Sequence, residues 1–173
     1  DEMLERRDHF TLSIPLHNLW VQEAINAVYD TIEGPDNLRM VDDEVYYVRS
    51  RLYPWGDSHR RCYLHLYYNP YIRAQAVERF SKELLMYKKE LETGHTTVEH
   101  QEMYDTFFMV TATPVRGRKV VFNESAVQQY ITRYAGFQAL LTTQIKDPIV
   151  ALQVYRDKDI IEKCFYDLKN NLD

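Results

Sequence analysis

The chain has 173 residues, 45% hydrophobic and 27% charged, with a formal net charge of −5. That is an ordinary globular composition of about one to one and a half domains, which excludes a disordered chain and argues against a stand-alone nucleic-acid binder. Five glycines and six prolines exclude collagen-like and low-complexity chains, no apolar run nears the roughly 20 residues that span a bilayer, and Cys62 and Cys164 are too few for a disulfide framework, so a reducing cytoplasm is expected.

Taken in order, residues 1–9 are charged and read as the tail of a helix. Phe10–Ile14 alternates apolar and polar residues, the pattern of a strand, and Pro15 ends it. Asn18 is placed to cap a helix running to about Ile32, with Leu19, Ala24, Ile25 and Val28 on one face. Glu33-Gly34-Pro35-Asp36 is a strong stop. Val45–Tyr53 and Arg60–Tyr68 read as the strands of a hairpin, with Pro54-Trp55-Gly56-Asp57 as the turn. From Tyr71 to about Glu92 there is no glycine or proline, which predicts a helix with Gly94 as its C′ residue.

Residues 95–105 are polar and fit a loop or a short helix. Phe107–Thr113 and Lys119–Phe122 read as strands around a turn at 115–118. Asn123 caps a helix to about Ala135, Gly136 ends it, and Phe137–Thr143 is a last strand. Asp147-Pro148 opens a final helix. Fourteen tyrosines suit half-buried sheets whose hydroxyls reach water. The expected class is α+β. Residues 1–34 form a strand-helix unit, 35–146 a β-rich insertion domain with its own helices, and 147–173 a C-terminal helix. A first residue of Asp and a helical pattern still running at Asp173 fit a piece of a longer protein.

The final helix carries the chemistry. At about 100° per residue from Tyr155, Lys158 falls near 300°, Glu162 near 340° and Lys169 near 320°. One polar stripe therefore runs beside an apolar face of Ile161, Phe165, Leu168 and Leu172. A carboxylate at a groove can be one ligand of a Mg²⁺ site, and two such ions can drive phosphodiester cleavage. On spacing alone the commoner reading is a solvated face with a Lys158–Glu162 i,i+4 pair.

The pattern Tyr155-x2-Lys158-x3-Glu162-x6-Lys169, with the strand Gly136–Thr143 before it, resembles the C-terminal signature of DDE transposases of bacterial insertion sequences. The specific match covers about the last 40 residues, and the rest agrees in layout only. The resemblance implies a fragment of an RNase H-like catalytic domain, with Glu162 as the third catalytic and metal-binding acid. It implies that Tyr155, Lys158 and Lys169 contact phosphates of transposon-end DNA, in a bacterial cytoplasm, with no membrane and with a homodimer left open. Lys158 stands where many members have arginine, so it lacks the bidentate fork. The two catalytic aspartates are expected upstream of residue 1. This chain alone is then expected to cleave no DNA and to bind Mg²⁺ weakly or not at all. The alternative is a non-enzymatic β-rich interaction or dimerisation module.

Other constellations are weaker. His59, Cys62 and His65 are three apart on a strand, which sends neighbours to opposite faces and disfavours a shared metal. Arg49, Arg51, Arg60 and Arg61 alternate with tyrosines in the first hairpin, and Arg116, Arg118 and Lys119 cluster in another turn. Such rows track nucleic-acid backbone or guard sheet edges equally well.

Overall fold

The computed structural model describes residues 9–55, 60–113, 117–130 and 133–170; side chains are described for all of these except 55, 60, 113 and 162–170. Its architecture is α+β, in two compact units: residues 1–70 with 137–173, and residues 71–136. No described helix is long and apolar enough to cross a membrane.

In the first unit, five strands form one sheet in which every described pairing is antiparallel: β1 (Thr11–Ser13), β2 (Leu38–Val41), β3 (Glu44–Trp55), β4 (Arg60–Tyr68) and β7 (Phe137–Thr142). Their order is β1-β7-β4-β3-β2. Strands β4 and β7 occupy the inside of the sheet because both their faces are apolar. Cys62, Leu64, Leu66 and Tyr68 alternate with His65 and Tyr67 along β4, and all six are buried. A strand covered on both faces reads as a continuous apolar run.

Each face has a helix. Helix α1 (Leu19–Asn26) buries Val21, Ala24 and Ile25, an i, i+3, i+4 stripe. Trp20 stacks on Tyr53 at 4.7 Å and Tyr29 on Phe137 at 5.8 Å, so this segment lies over the face bearing Leu64 and Leu66. The helix is shorter than expected: after Asn26 the chain continues in turns bonded i to i−3, such as Thr31 N to Val28 O, and Ile32 is still buried. The Asn18 side chain donates back to Pro15 O rather than capping forward.

The other face is covered by the final helix, α5 (Pro148–Asn170). Leu152 is fully buried in a cluster with Val41, Tyr46, Val48, Tyr67 and Leu140, and Ile149 and Tyr155 pack against it. The contact face thus runs through 149, 152 and 155 at i+3 spacing, with Ala151 fully buried beside it. Ile160 and Ile161 are exposed, contrary to the expected apolar face at Ile161.

In the second unit, helix α2 (Pro70–Thr93) buries Phe80, Leu84, Tyr87 and Leu91, one stripe along its length. Gly94 follows at φ +77°, the left-handed C′ conformation that favours glycine. Helix α3 (Gln101–Phe107), the hairpin of β5 (Phe108–Thr113) and β6 (Gly117–Phe122), and helix α4 (Glu124–Tyr130) complete the unit. Asn123 Oδ1 accepts the Ala126 amide at 3.4 Å, as a cap should. Residues 71–136 are therefore one packed body, whereas residues 38–68 and 137–142 belong to the first sheet. The expected 35–146 segment contributes to both units.

Candidate functional site

The site is built where β7 hands over to α5. Asp147 Oδ1 accepts the Ile149 amide at 2.8 Å, and Pro148, with no amide hydrogen to lose, occupies the first turn. Two side chains of β4 hold this connection. Tyr67 donates its hydroxyl to Pro148 O at 2.7 Å, and His65 Nε2 bonds to Ile145 O at 2.8 Å. A carbonyl only accepts, so Nε2 carries the hydrogen. Nδ1 then accepts from Ser50 Oγ at 2.7 Å. His65 is fully buried, and that desolvation holds its imidazole below the ordinary value of 6.5, in the neutral form. Burial pushes the Tyr67 hydroxyl well above the ordinary range, so it stays a donor.

Fixed this way, α5 carries Tyr155 and Lys158 to the ends of β1 and β7. Both residues line a groove of about 450 Å³ with His9–Leu12 and Thr142–Ile145. Its floor is cross-linked: the Thr143 amide donates to Phe10 O, Thr143 Oγ1 accepts the Phe10 amide, and Thr11 Oγ1 donates to Thr142 Oγ1 at 3.1 Å. Gln144 Nε2 donates to His9 Nε2 at 2.7 Å at the rim. Tyr155 is half-buried and Lys158 exposed, so a hydroxyl and an ammonium border one open concavity.

Of the four stripe residues, then, Tyr155 and Lys158 are brought together. Glu162 and Lys169 belong to later turns of α5, and their side chains lie outside the described residues. Among the described residues no cluster of three His, Cys, Asp or Glu is placed to hold a metal ion. Cys62 and His65 are both buried but on opposite faces of β4, and His59 lies outside the described residues. Cys62 is fully buried, and that desolvation raises its thiol above the ordinary range. In the other basic cluster, Arg118 Nη1 donates to Leu91 O at 3.0 Å, closing the end of α2, and Arg116 lies outside the described residues.

Sequence reasoning passed over Arg156. Its guanidinium bonds Asp42 Oδ2 at 2.7 Å, Glu44 Oε2 at 2.8 Å and the Tyr46 hydroxyl at 2.7 Å, and its Cζ lies 5.5 Å from the Tyr46 ring centroid. The hydrogen bond from Arg156 holds the Glu44 carboxyl below its usual range. Arg156 thus ties α5 to the β2–β3 turn. No local signal marks it, since its partners are more than a hundred residues away.

No family model, no curated protein and no solved structure matches the chain.

Proposed function

We propose that this chain is the C-terminal part of a DDE transposase, comprising part of an RNase H-like catalytic domain and, in residues 71–136, an insertion of helices around one hairpin. The whole enzyme would catalyse Mg²⁺-dependent DNA cleavage and strand transfer. The observation that supports the reading most is the shared groove of Tyr155 and Lys158 beside β1 and β7. Position 162 follows Tyr155 by seven residues, near 340° around the same helix and about 10.5 Å along it. That helical spacing is what brings Glu162 into the reading. Tyr155, Lys158 and Lys169 then hold phosphates of the transposon end, and Glu162 supplies one metal ligand. The other two carboxylates come from outside these 173 residues. Mg²⁺ supplies charge neutralisation at the reacting phosphate.

The test uses the reading frame extended upstream to take in two strand-end aspartates. With Mg²⁺ it nicks a plasmid carrying the element's ends, and Glu162→Gln abolishes nicking. Lys158→Ala lowers the slope of log affinity against log salt by about 0.9, one phosphate's share. Nicking that survives Glu162→Gln, or Mg²⁺-dependent nicking by the 173-residue chain alone, overturns the assignment.

A second reading, an interaction or dimerisation module, has its own support. Strand β2 ends the described sheet, and Leu38 and Met40 point to one face with 46% and 62% exposure. Exposed apolar residues on an edge strand suit pairing with another chain. Sedimentation at increasing concentration separates the two readings: a stable dimer that does not bind DNA favours the module.

A further inference from the structure

A second basic surface lies on the opposite side of the sheet from α5. Strand β3 runs from 44 to 55, but β2 pairs only with residues 44–47. Beyond Tyr47 one edge of β3 has no strand partner among the described residues. Along that edge, on the face that carries α1, the alternating side chains are Arg49, Arg51 and Tyr53. Both arginines are exposed, and neither is ion-paired with a described carboxylate. They stand two residues apart, about 6.8 Å along the strand, close to the separation of successive phosphates in a nucleic-acid strand. The row ends in aromatic rings. The Arg51 Cζ lies 5.8 Å from the Tyr53 ring centroid, and Tyr53 stacks on Trp20 at 4.7 Å with 30° between the planes. Tyr53 and Trp20 are each half-buried, so part of the pair is open to solvent.

We propose that Arg49, Arg51, Tyr53 and Trp20 form a binding track for a single nucleic-acid strand. Arginine forks take adjacent phosphates, and the aromatic pair offers a π surface to an unstacked base. The chain carries 26 acidic against 21 basic side chains. Two exposed arginines free of described carboxylate partners are therefore a local departure from its overall charge, and they favour a polyanion. The ring pair selects one with bases. The track does not depend on the transposase reading, because the groove of Tyr155 and Lys158 is built on the other face.

The test is fluorescence anisotropy of the whole chain with labelled 15-nucleotide single-stranded DNA, RNA of the same sequence, and polyglutamate of equal charge. Arg49→Gln/Arg51→Gln weakens strand binding at least ten-fold and lowers the salt slope by about 1.4, two phosphates at roughly 0.7 each for single strands. Arg49→Lys/Arg51→Lys keeps that slope. Tyr53→Leu costs about five-fold or more for DNA. Tighter binding of RNA than DNA, or the reverse, decides which strand the track serves, and either supports it. Unchanged affinity and slope in the Gln variant overturn the proposal. So does equal binding of polyglutamate, insensitive to Tyr53→Leu, which indicates an acidic protein surface. Self-association of the Gln variant with strand binding intact also overturns it, since the arginines would then only guard the edge. A Lys158→Ala effect with none from the arginines sinks the track and leaves the proposed function standing; an arginine effect with none from Lys158→Ala supports the track, and the proposed function then stands or falls on the nicking assay.

Discussion

Lowering the pH from 7.5 to 5.5 is expected to weaken the first unit through His65. Its imidazole is fully buried, with Ser50 Oγ on Nδ1 and Ile145 O on Nε2. Burial disfavours the imidazolium, so the folded value lies below 6.5, whereas the unfolded chain takes up a proton near 6.5. As pH falls through 6.5 the unfolded state binds more protons than the folded one, and unfolding is favoured. The contribution of neutral His65 is therefore complete above about pH 7 and is lost below it. With no protonation of the folded form, the loss between pH 7.5 and 5.5 reaches a ceiling of about 1.4 kcal/mol. The carboxylates held low by partners, such as Glu44, stay ionised across this window and do not contribute.

Urea unfolding followed by tryptophan emission measures the effect on the right unit, because Trp20 and Trp55 both lie within residues 1–70. His65→Gln removes the titration and keeps a donor for Ile145 O. The wild type should lose up to about 1.4 kcal/mol more than this variant over the same pH drop. Equal losses in the two proteins, or a wild type that gains stability on acidification, would refute the reasoning.

Three further outcomes are expected. Leu152→Ala, which empties a fully buried position under α5, costs about 2.7–5 kcal/mol in the same unfolding assay. Arg156→Ala costs about 1 kcal/mol, because its carboxylate partners are half-exposed, with side-chain exposures of 59% and 48%; a double-mutant cycle with Tyr46→Phe should show coupling between the two sites. Asp43→Gly stabilises the chain by up to about 1 kcal/mol in thermal unfolding, because Asp42 and Asp43 both hold the left-handed conformation, at φ 51° and 63°, in a two-residue hairpin turn.

Much of the local structure was legible in the sequence. The long helix over residues 70–93, its glycine stop, the strands at 60–68 and 137–142 and the Asp147-Pro148 start all follow from periodicity and backbone chemistry. Elements with unusual chemistry were not. Strand β2 is four residues long, exposes Leu38 and Met40, and turns on Asp-Asp rather than a glycine pair, so it carries no hairpin signal. Pro54 suggested a turn, yet it lies inside β3, which at that point has a strand partner on one side only among the described residues.

The stripe of Tyr155 and Lys158 could be drawn from helical geometry alone. What it faces could not. The sequence by itself determined which segments carry an apolar face, because the side-chain period is a local property of the backbone, but not which side of α5 is covered, since Leu152 is buried and Ile161 exposed. Only the tertiary structure decided that Thr11 stands beside Thr142, that Tyr67 seats Pro148, and that Arg156 reaches Asp42. Those pairings close loops of about 80 to 130 residues, and no short-range preference distinguishes one distant strand or charge from another.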